Sequence, residues 1–82
     1  MRVTRPQLPG EPRRVDVLER DNQPAVVAGE RVEEVLEFWV VQNGWWNDRP
    51  VNRRYWEVVT VRGRRIVVFH DLESGGWCTQ AA

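Results

Sequence analysis

Short apolar runs rich in valine and aromatic residues alternate along the chain with turn-forming residues. The turns recur about every 8 to 12 positions, a spacing typical of antiparallel β structure. The pattern predicts strands at residues 13–19, 24–28 and 77–80, with turns at residues 21–23 and 75–76. We therefore predict an all-β fold, a small antiparallel meander that forms a roll or a half-open barrel.

The segment 31–42 fits two periodicities. Val32, Leu36 and Val40 share one face of a helix and also one face of a strand. The valines and aromatic residues of the segment favour a strand, whereas its glutamates favour a helix. A strand matches the neighbouring elements, and no good N-cap residue precedes Arg31. We expect a strand here, with a helix and hence an α+β fold as the alternative.

The clearest predicted element is a β-hairpin around residues 62–63, where glycine supplies the positive φ that a tight turn needs. A two-residue loop places Trp56 opposite Phe69 and Arg54 opposite Asp71 on one face, and Tyr55 opposite His70 on the other. This register matches aromatic residues and opposite charges across the strands. Both faces of the hairpin are apolar, so we expect it to be central in the sheet and covered on both sides.

The domain organisation follows from length and composition. A chain of 82 residues forms one domain, near the small end of what folds without disulfides or metals. Residues 1–12 contain three prolines and few apolar residues, which predicts a flexible N-terminal arm. Residues 13–82 form the single small β domain. Because so small a domain needs its large rings for stability, we expect those within strands, Trp39, Trp56 and Phe69, to be core residues.

Charge is balanced overall but unevenly distributed. The 12 basic residues, all of them arginine, match 12 acidic residues. Between residues 43 and 66, six arginines stand against two acids, a local charge of +4. A neutral chain disfavours a role in wrapping duplex DNA. The local patch still suits a few phosphates or an acidic partner.

Cysteine usage and hydropathy indicate the compartment. Cys78 is the single cysteine, so the chain has no internal disulfide and suits a reducing environment. The sequence has no apolar run of about 18 residues and no apolar stretch of the signal-peptide type near Met1. We predict a cytoplasmic protein that does not contact the membrane.

The stock of reactive side chains is small. Ser74, His70 and Cys78 are the single serine, imidazole and thiol. Ser74 and His70 lie four positions apart on a predicted turn, which does not suit a catalytic triad. A zinc site would need two carboxylates in addition to the histidine and the cysteine, and neither standard Gly-rich phosphate loop occurs. We predict a non-enzymatic protein without metal or cofactor.

One segment, residues 43–56, interleaves aromatic rings with arginines. Single-stranded nucleic acid binders stack such rings on bases and place arginines at phosphates, and the same residue types are hot spots in protein interfaces. Two adjacent tryptophans point to opposite sides of an extended chain, so at least one is expected to lack full burial, and the pair supplies a candidate contact residue. The predicted contact residues are Trp45, Trp46, Arg49, Arg53 and Arg54.

Several short motifs in fixed order carry a resemblance to a known family. They are Gly44-Trp45-Trp46, Asp48-Arg49-Pro50-Val51, Arg53-Arg54-Tyr55-Trp56, Val68-Phe69-His70-Asp71 and Gly76-Trp77. Over residues 13–80 the chain resembles the C-terminal module of ImuB-type proteins, catalytically inactive relatives of Y-family DNA polymerases, and similar small free-standing bacterial proteins of unknown function. The resemblance implies an accessory, non-catalytic part in bacterial DNA damage tolerance linked to translesion synthesis.

We therefore expect a non-catalytic accessory module. Its partner is expected to be a protein rather than nucleic acid, because the whole chain is neutral. Weak binding of single-stranded DNA remains open for the same arginine-rich patch. The alternative is a stand-alone structural or regulatory β domain without a nucleic-acid role, for example a homodimer joined through an exposed sheet edge.

Overall fold

The computed structural model describes residues 12–43 and 51–80. Within these ranges the chain forms strands and no helix, so the all-β prediction is confirmed. The strands are β1 Arg13–Arg14, β2 Val17–Arg20, β3 Gln23–Val27, β4 Glu30–Asn43, β5 Val51–Thr60, β6 Arg65–Asp71 and β7 Trp77–Thr79. The predicted arm, residues 1–12, lies outside the described residues apart from Pro12.

The seven strands form one antiparallel sheet in the order β1-β7-β6-β5-β4-β3-β2. From β2 to β7 the order is a simple meander, in which each strand pairs with the next one along the chain. The sheet is curled into a half-barrel, as predicted. The first strand departs from the meander, because β1 pairs with β7 through Arg13↔Thr79 and Arg14↔Cys78.

A two-residue connection closes the curl. We predicted one strand over residues 13–19, which is wrong, because the chain divides at Val15 and Asp16 into β1 and β2 at opposite edges of the sheet. Two residues span about 10 Å at most, so the two edges must approach each other. Val15 N donates to Trp77 O at 3.1 Å, and Ala28 N donates to Asp16 O at 2.8 Å. The connection is thereby hydrogen-bonded to β7 on one side and to the residue after β3 on the other.

The segment 31–42 is a strand, as expected. It lies in β4, which carries two β-bulges, one between Val32 and Glu34 and one between Val35 and Glu37. Each bulge adds one residue to one strand of the pair. On the face of Trp56, the β4 residues that lie opposite β5 are therefore Val32, Val35 and Phe38, spaced by three positions. This spacing is close to a helical turn, which explains why the apolar pattern fitted both structures.

The register of the β5–β6 hairpin differs by one residue from the prediction. Trp56 lies opposite Val68, and Phe69 lies opposite Tyr55. The loop has three residues rather than two, since Gly63 N donates to Thr60 O at 2.8 Å and Thr60 N donates to Arg64 O at 2.9 Å. Gly63 has a φ of 80°, as the last residue of a three-residue hairpin loop requires. The glycine was correctly placed in the turn, but at the third position of the loop.

The shifted register changes the partners at the strand ends. Arg54 lies opposite His70, and Asp71 lies opposite Arg53, so the predicted pairings of Arg54 with Asp71 and of Tyr55 with His70 are wrong. Asp71 Oδ1 instead accepts the N–H groups of the turn that follows β6, at 2.9 and 3.3 Å. The acid is therefore a turn-stabilising residue.

Each face of the sheet carries its own core, which confirms that the hairpin is central and covered on both sides. On the inner face of the curl, Trp56, Val58 and Val68 are buried against Val27 of β3, with Val17 of β2 packed beside them. On the outer face the buried cluster consists of Trp39, Tyr55, Val67 and Phe69. All three rings predicted for the core are buried, but Trp56 and Phe69 lie on opposite faces.

The Thr60 hydroxyl links the hairpin loop to the start of β4. Its side chain is fully buried, and Oγ1 donates to Glu30 Oε1 at 2.8 Å. The same oxygen lies 3.3 Å from the N–H groups of Arg62 and Arg64, whose hydrogen bonds it accepts. Glu30 in turn contacts Arg64 Nε at 3.4 Å. One hydroxyl therefore bonds two backbone N–H groups at the loop and the carboxylate of Glu30.

We predict that Thr60→Val lowers the free energy of unfolding by about 2 kcal/mol, because up to three hydrogen bonds to a buried oxygen are lost. Urea denaturation followed by tryptophan fluorescence measures the loss. Thr60→Ser is the control, since it keeps the oxygen and removes only a methyl group, and it is expected to cost about 1 kcal/mol or less. Equal losses in the two variants would contradict a polar role for Thr60.

Candidate binding surface

Four rings line up across four strands on the inner face of the sheet. Phe38 of β4, Trp56 of β5, Trp77 of β7 and His70 of β6 form this aromatic row. Their ring centroids lie 5.2 Å apart for Phe38 and Trp56, 5.2 Å for Trp56 and Trp77, and 4.4 Å for Trp77 and His70. The last two rings are stacked with an interplanar angle of 3°. The row arises because paired strands place opposed residues on the same face.

The row is anchored in the middle and accessible at its ends. Trp56 is only 4% exposed and belongs to the inner core, whereas Phe38 is 41% exposed. Trp77 and His70 are half-buried. The buried ring holds its neighbours in place, so the accessible rings are positioned before any partner binds.

A cleft of about 320 Å³ lies beside the exposed end of the row. Phe38, Trp56 and Arg54 form one side, and the tip of the β2–β3 hairpin, residues 21–23, forms the other. Asp21 and Asn22 have positive φ angles of 55° and 64°, typical of the two-residue turn that makes this tip tight. The cleft therefore joins an apolar floor to polar groups at its mouth.

Arg54 is the cation of this surface. It lies on β5 two residues before Trp56, on the same face, and its side chain is exposed. Its cross-strand neighbours are Val40 and His70. Within residues 12–43 and 51–80 no carboxylate forms an ion pair with Arg54. Its charge is therefore exposed beside the cleft.

Arg53 lies on the opposite face and is held there by contacts within the protein. Its guanidinium carbon sits 4.5 Å from the centre of the Phe69 ring, a cation–π contact. Arg53 Nη1 donates to the Tyr55 hydroxyl at 3.3 Å, and that hydroxyl donates to Gln80 Oε1 at 3.0 Å. Of the five predicted contact residues, Arg53 and Arg54 are thus separated by the sheet. Trp45, Trp46 and Arg49 lie outside the described residues.

The candidate reactive groups make local contacts. Ser74 Oγ accepts the N–H of Gly76 at 3.3 Å, and His70 Nε2 lies 3.3 Å from the carbonyl oxygen of Gly75. Cys78 is a half-buried free thiol beside the outer core. Across residues 12–43 and 51–80 no group of three or more histidine, cysteine, aspartate or glutamate side chains is arranged to hold a metal ion.

The sequence interpretation missed three residues of this surface, Phe38, His70 and Trp77. Phe38 fell in the segment of mixed periodicity, and the one-residue error in register placed His70 beside Tyr55. The alternation of side chains along a strand is the signal that separates Arg53 from Arg54. The same alternation places Arg54 on the face of Trp56.

A scan of the chain against protein-family models finds no match, and searches among curated proteins and solved structures find no significant match. In the part of the chain that the structure describes, no helix is long and apolar enough to cross a membrane.

We predict that Arg53→Ala lowers the free energy of unfolding by about 1 kcal/mol, because it removes the contact with Phe69 and the hydrogen bond to Tyr55. Arg54→Ala is expected to change it by less than about 0.5 kcal/mol, as is usual for exposed side chains. Urea denaturation of the two variants gives the comparison. A larger loss for Arg54→Ala would show that Arg54 has a structural role.

Proposed function

We propose that this chain is a non-catalytic accessory module that binds a partner protein in bacterial DNA damage tolerance. The observation that carries the proposal is the aromatic row with the exposed Arg54 beside it. Tryptophan and arginine are the residue types most enriched among binding hot spots. Here the accessible rings of Phe38 and Trp77 pack against the buried Trp56, which lowers the entropy that they lose on binding.

The shape of the surface supports recognition of a side chain. The cleft between Phe38 and the hairpin tip accommodates one aromatic or aliphatic group, and hydrophobic anchors in such pockets dominate interface energies. Arg54 supplies a cation that suits an acidic neighbour of that anchor. The zero net charge of the chain favours a protein partner over a long polyanion. The cellular setting comes from the resemblance to the ImuB-type module.

Site-specific crosslinking tests this role. A photoreactive p-benzoylphenylalanine in place of Phe38 is expected to form an adduct with a protein of the damage-tolerance machinery when bacterial cells are irradiated after DNA damage. Arg54→Ala in the same chain is expected to lower the adduct yield, because the cation contacts the same partner. Mass spectrometry of the adduct identifies the protein.

The control places the photoreactive residue at Glu73, an exposed position on the turn after β6, where no adduct is expected. An adduct only with a second copy of the chain would support the homodimeric alternative. Absence of any adduct at Phe38, or a yield that does not change with Arg54→Ala, would refute the proposed surface.

Weak single-stranded DNA binding is the second candidate, and the same row favours it. Rings that follow one another across neighbouring strands offer stacking platforms for successive bases, and Arg54 lies within reach of a phosphate. The binding is expected to be weak, since stacking on the largely buried Trp56 is limited to its exposed edge. Phe38 and Trp77 carry the accessible ring surface.

On this second candidate we predict that a short oligothymidylate quenches tryptophan fluorescence at low salt. The logarithm of the affinity should fall with the logarithm of salt with a slope of about −0.7 for each phosphate contacted. Arg54→Ala should remove one such contact, whereas Arg53→Ala, on the other face, should leave the slope unchanged. Unchanged fluorescence at millimolar oligonucleotide would exclude nucleic acid.

A further inference from the structure

A wedge-shaped groove opens between β3 and β4. The two strands pair only through Val27↔Glu30 and Val26↔Arg31, next to their two-residue turn. Beyond these pairs they separate, and a groove of about 650 Å³ lies between residues 23–26 and 31–35. A sheet interrupted in this way leaves two strand edges facing each other across a gap.

Bulges on both strands cause the separation. On β3, the ladder to β2 passes from Val26 to Pro24 and leaves Ala25 as an extra residue. On β4, the ladder to β5 passes from Val32 to Glu34 and leaves Glu33 as an extra residue. A bulge bends its strand and increases the local twist. Two bulges directly after the last β3–β4 pair therefore turn the strands away from each other.

The β4 side of the groove offers backbone hydrogen-bonding groups. Arg31 O accepts the N–H of Val61 at 2.9 Å on the β5 side of the strand. Because successive residues of a strand direct their backbone groups to opposite sides, the backbone groups of Val32 point towards β3, and the pair Val26↔Arg31 places Val32 N–H in a hydrogen bond with Ala25 O. Val35, opposite Val58, is the next residue whose N–H and C=O point to this side, and these groups face the groove. Among the described residues, no strand pairs with β4 on this side between Val32 and Val35. This short edge is a template for an added strand.

The lining of the groove defines the chemistry of a partner. Leu18 is 67% exposed, and Val35 is partly exposed at the same groove. Four acidic residues, Glu19, Asp21, Glu33 and Glu34, outnumber two basic ones, Arg20 and Arg31. The groove therefore has an excess charge of −2 in a chain that is neutral overall. It contrasts with the arginine-rich β5–β6 hairpin.

We propose that this groove binds an extended basic segment of a partner protein, which adds to the edge of β4 as a further strand. Main-chain hydrogen bonds to Val35 would supply affinity, and the side chains of Leu18 and Val35 would contact apolar side chains of the segment. Lysine or arginine residues of the segment would meet Glu33 and Glu34. The inference rests on the proposed protein-binding role but concerns a second surface, which shares Asp21, Gln23 and Val35 with the cleft beside the aromatic row and contains neither Phe38 nor Arg54.

Charge decides between a basic segment and a second copy of this chain. In a homodimer joined at this edge, the strand added to β4 would be the β4 of the other copy, which carries the same two glutamates. Glu33 and Glu34 are exposed and form no ion pair with the other described residues. A dimer would bring Glu33 and Glu34 of both copies to one short edge. This is unfavourable, because like charges on adjacent strands repel. A basic segment would neutralise them.

A synthetic peptide tests the inference. The probe is a capped hexapeptide of alternating lysine and valine, titrated into the isotopically labelled full chain and followed by amide chemical shifts. We expect shifts at Leu18, Val32 and Val35, and slower hydrogen exchange of the Val35 amide. Alternate backbone N–H groups of an extended peptide point to opposite edges. N-methylation of the groups that face β4 should abolish binding, whereas N-methylation of the groups on the other edge should preserve it.

Charge reversal provides the matched variants. Glu33→Lys with Glu34→Lys is expected to weaken peptide binding by about tenfold, whereas Glu73→Lys, exposed on the distant turn, should leave it unchanged. A peptide of alternating glutamate and valine should not bind. Thermal denaturation shows whether each variant is folded. The three substituted positions, Glu33, Glu34 and Glu73, are all exposed.

Three results would overturn the inference. They are an absence of shifts at millimolar basic peptide, equal binding of the acidic peptide, and groove shifts that depend on protein concentration without peptide, which would indicate a second copy of the chain. Phe38→Ala with Arg54→Ala should leave peptide binding intact. A crosslink at Phe38 without peptide binding would reject the groove and keep the proposed function. Peptide binding without a crosslink at Phe38 would reject the proposed function and keep the groove.

Discussion

The connection Val15–Asp16 is the constraint on which the rest of the structure depends. It joins β1 and β2, which form the two edges of a seven-stranded sheet, and two residues reach only about 10 Å. The sheet must therefore curl until its edges are close. Curling brings Val17 and Val27 over Trp56, Val58 and Val68 and produces the inner core. A flat sheet of the same strands would leave that face exposed to water.

Both candidate surfaces lie where this closure is incomplete. The β2–β3 hairpin covers the middle of the inner face and stops at its tip, residues 21–23, which leaves Phe38 and Arg54 accessible. The same hairpin separates from β4 at the paired bulges and opens the acidic groove. The two surfaces also differ in charge, since the exposed Arg54 marks one and Glu33 and Glu34 mark the other. One protein could therefore contact two chemically different segments.

The sequence predicted the strand content and the turns, because short valine-rich runs and glycine positions are local signals. It did not predict which residues face each other, because that depends on single-residue details. The β5–β6 loop has three residues instead of two, and this difference moved Phe69 to the face opposite Trp56. The division at Val15 could not be seen either, because residues 13–19 keep their extended pattern on both sides of it. Arg54 was predicted as a contact residue from its type, whereas its position opposite His70 rather than Asp71 required the true register.

The pairing of β1 with β7 has a consequence for how the chain reaches its folded state. Arg13↔Thr79 joins residues from nearly opposite ends of the described chain, whereas the other strand pairs join consecutive strands. Contacts between distant residues form slowly, since the chain must lose entropy before they contribute. The meander can therefore assemble first, with β7 and β2 as open edges that are prone to pair with other molecules. Pairing with the two residues of β1 covers the edge of β7, whereas β2 remains an edge of the finished sheet. The short first strand therefore limits the edge that β7 can offer to other molecules.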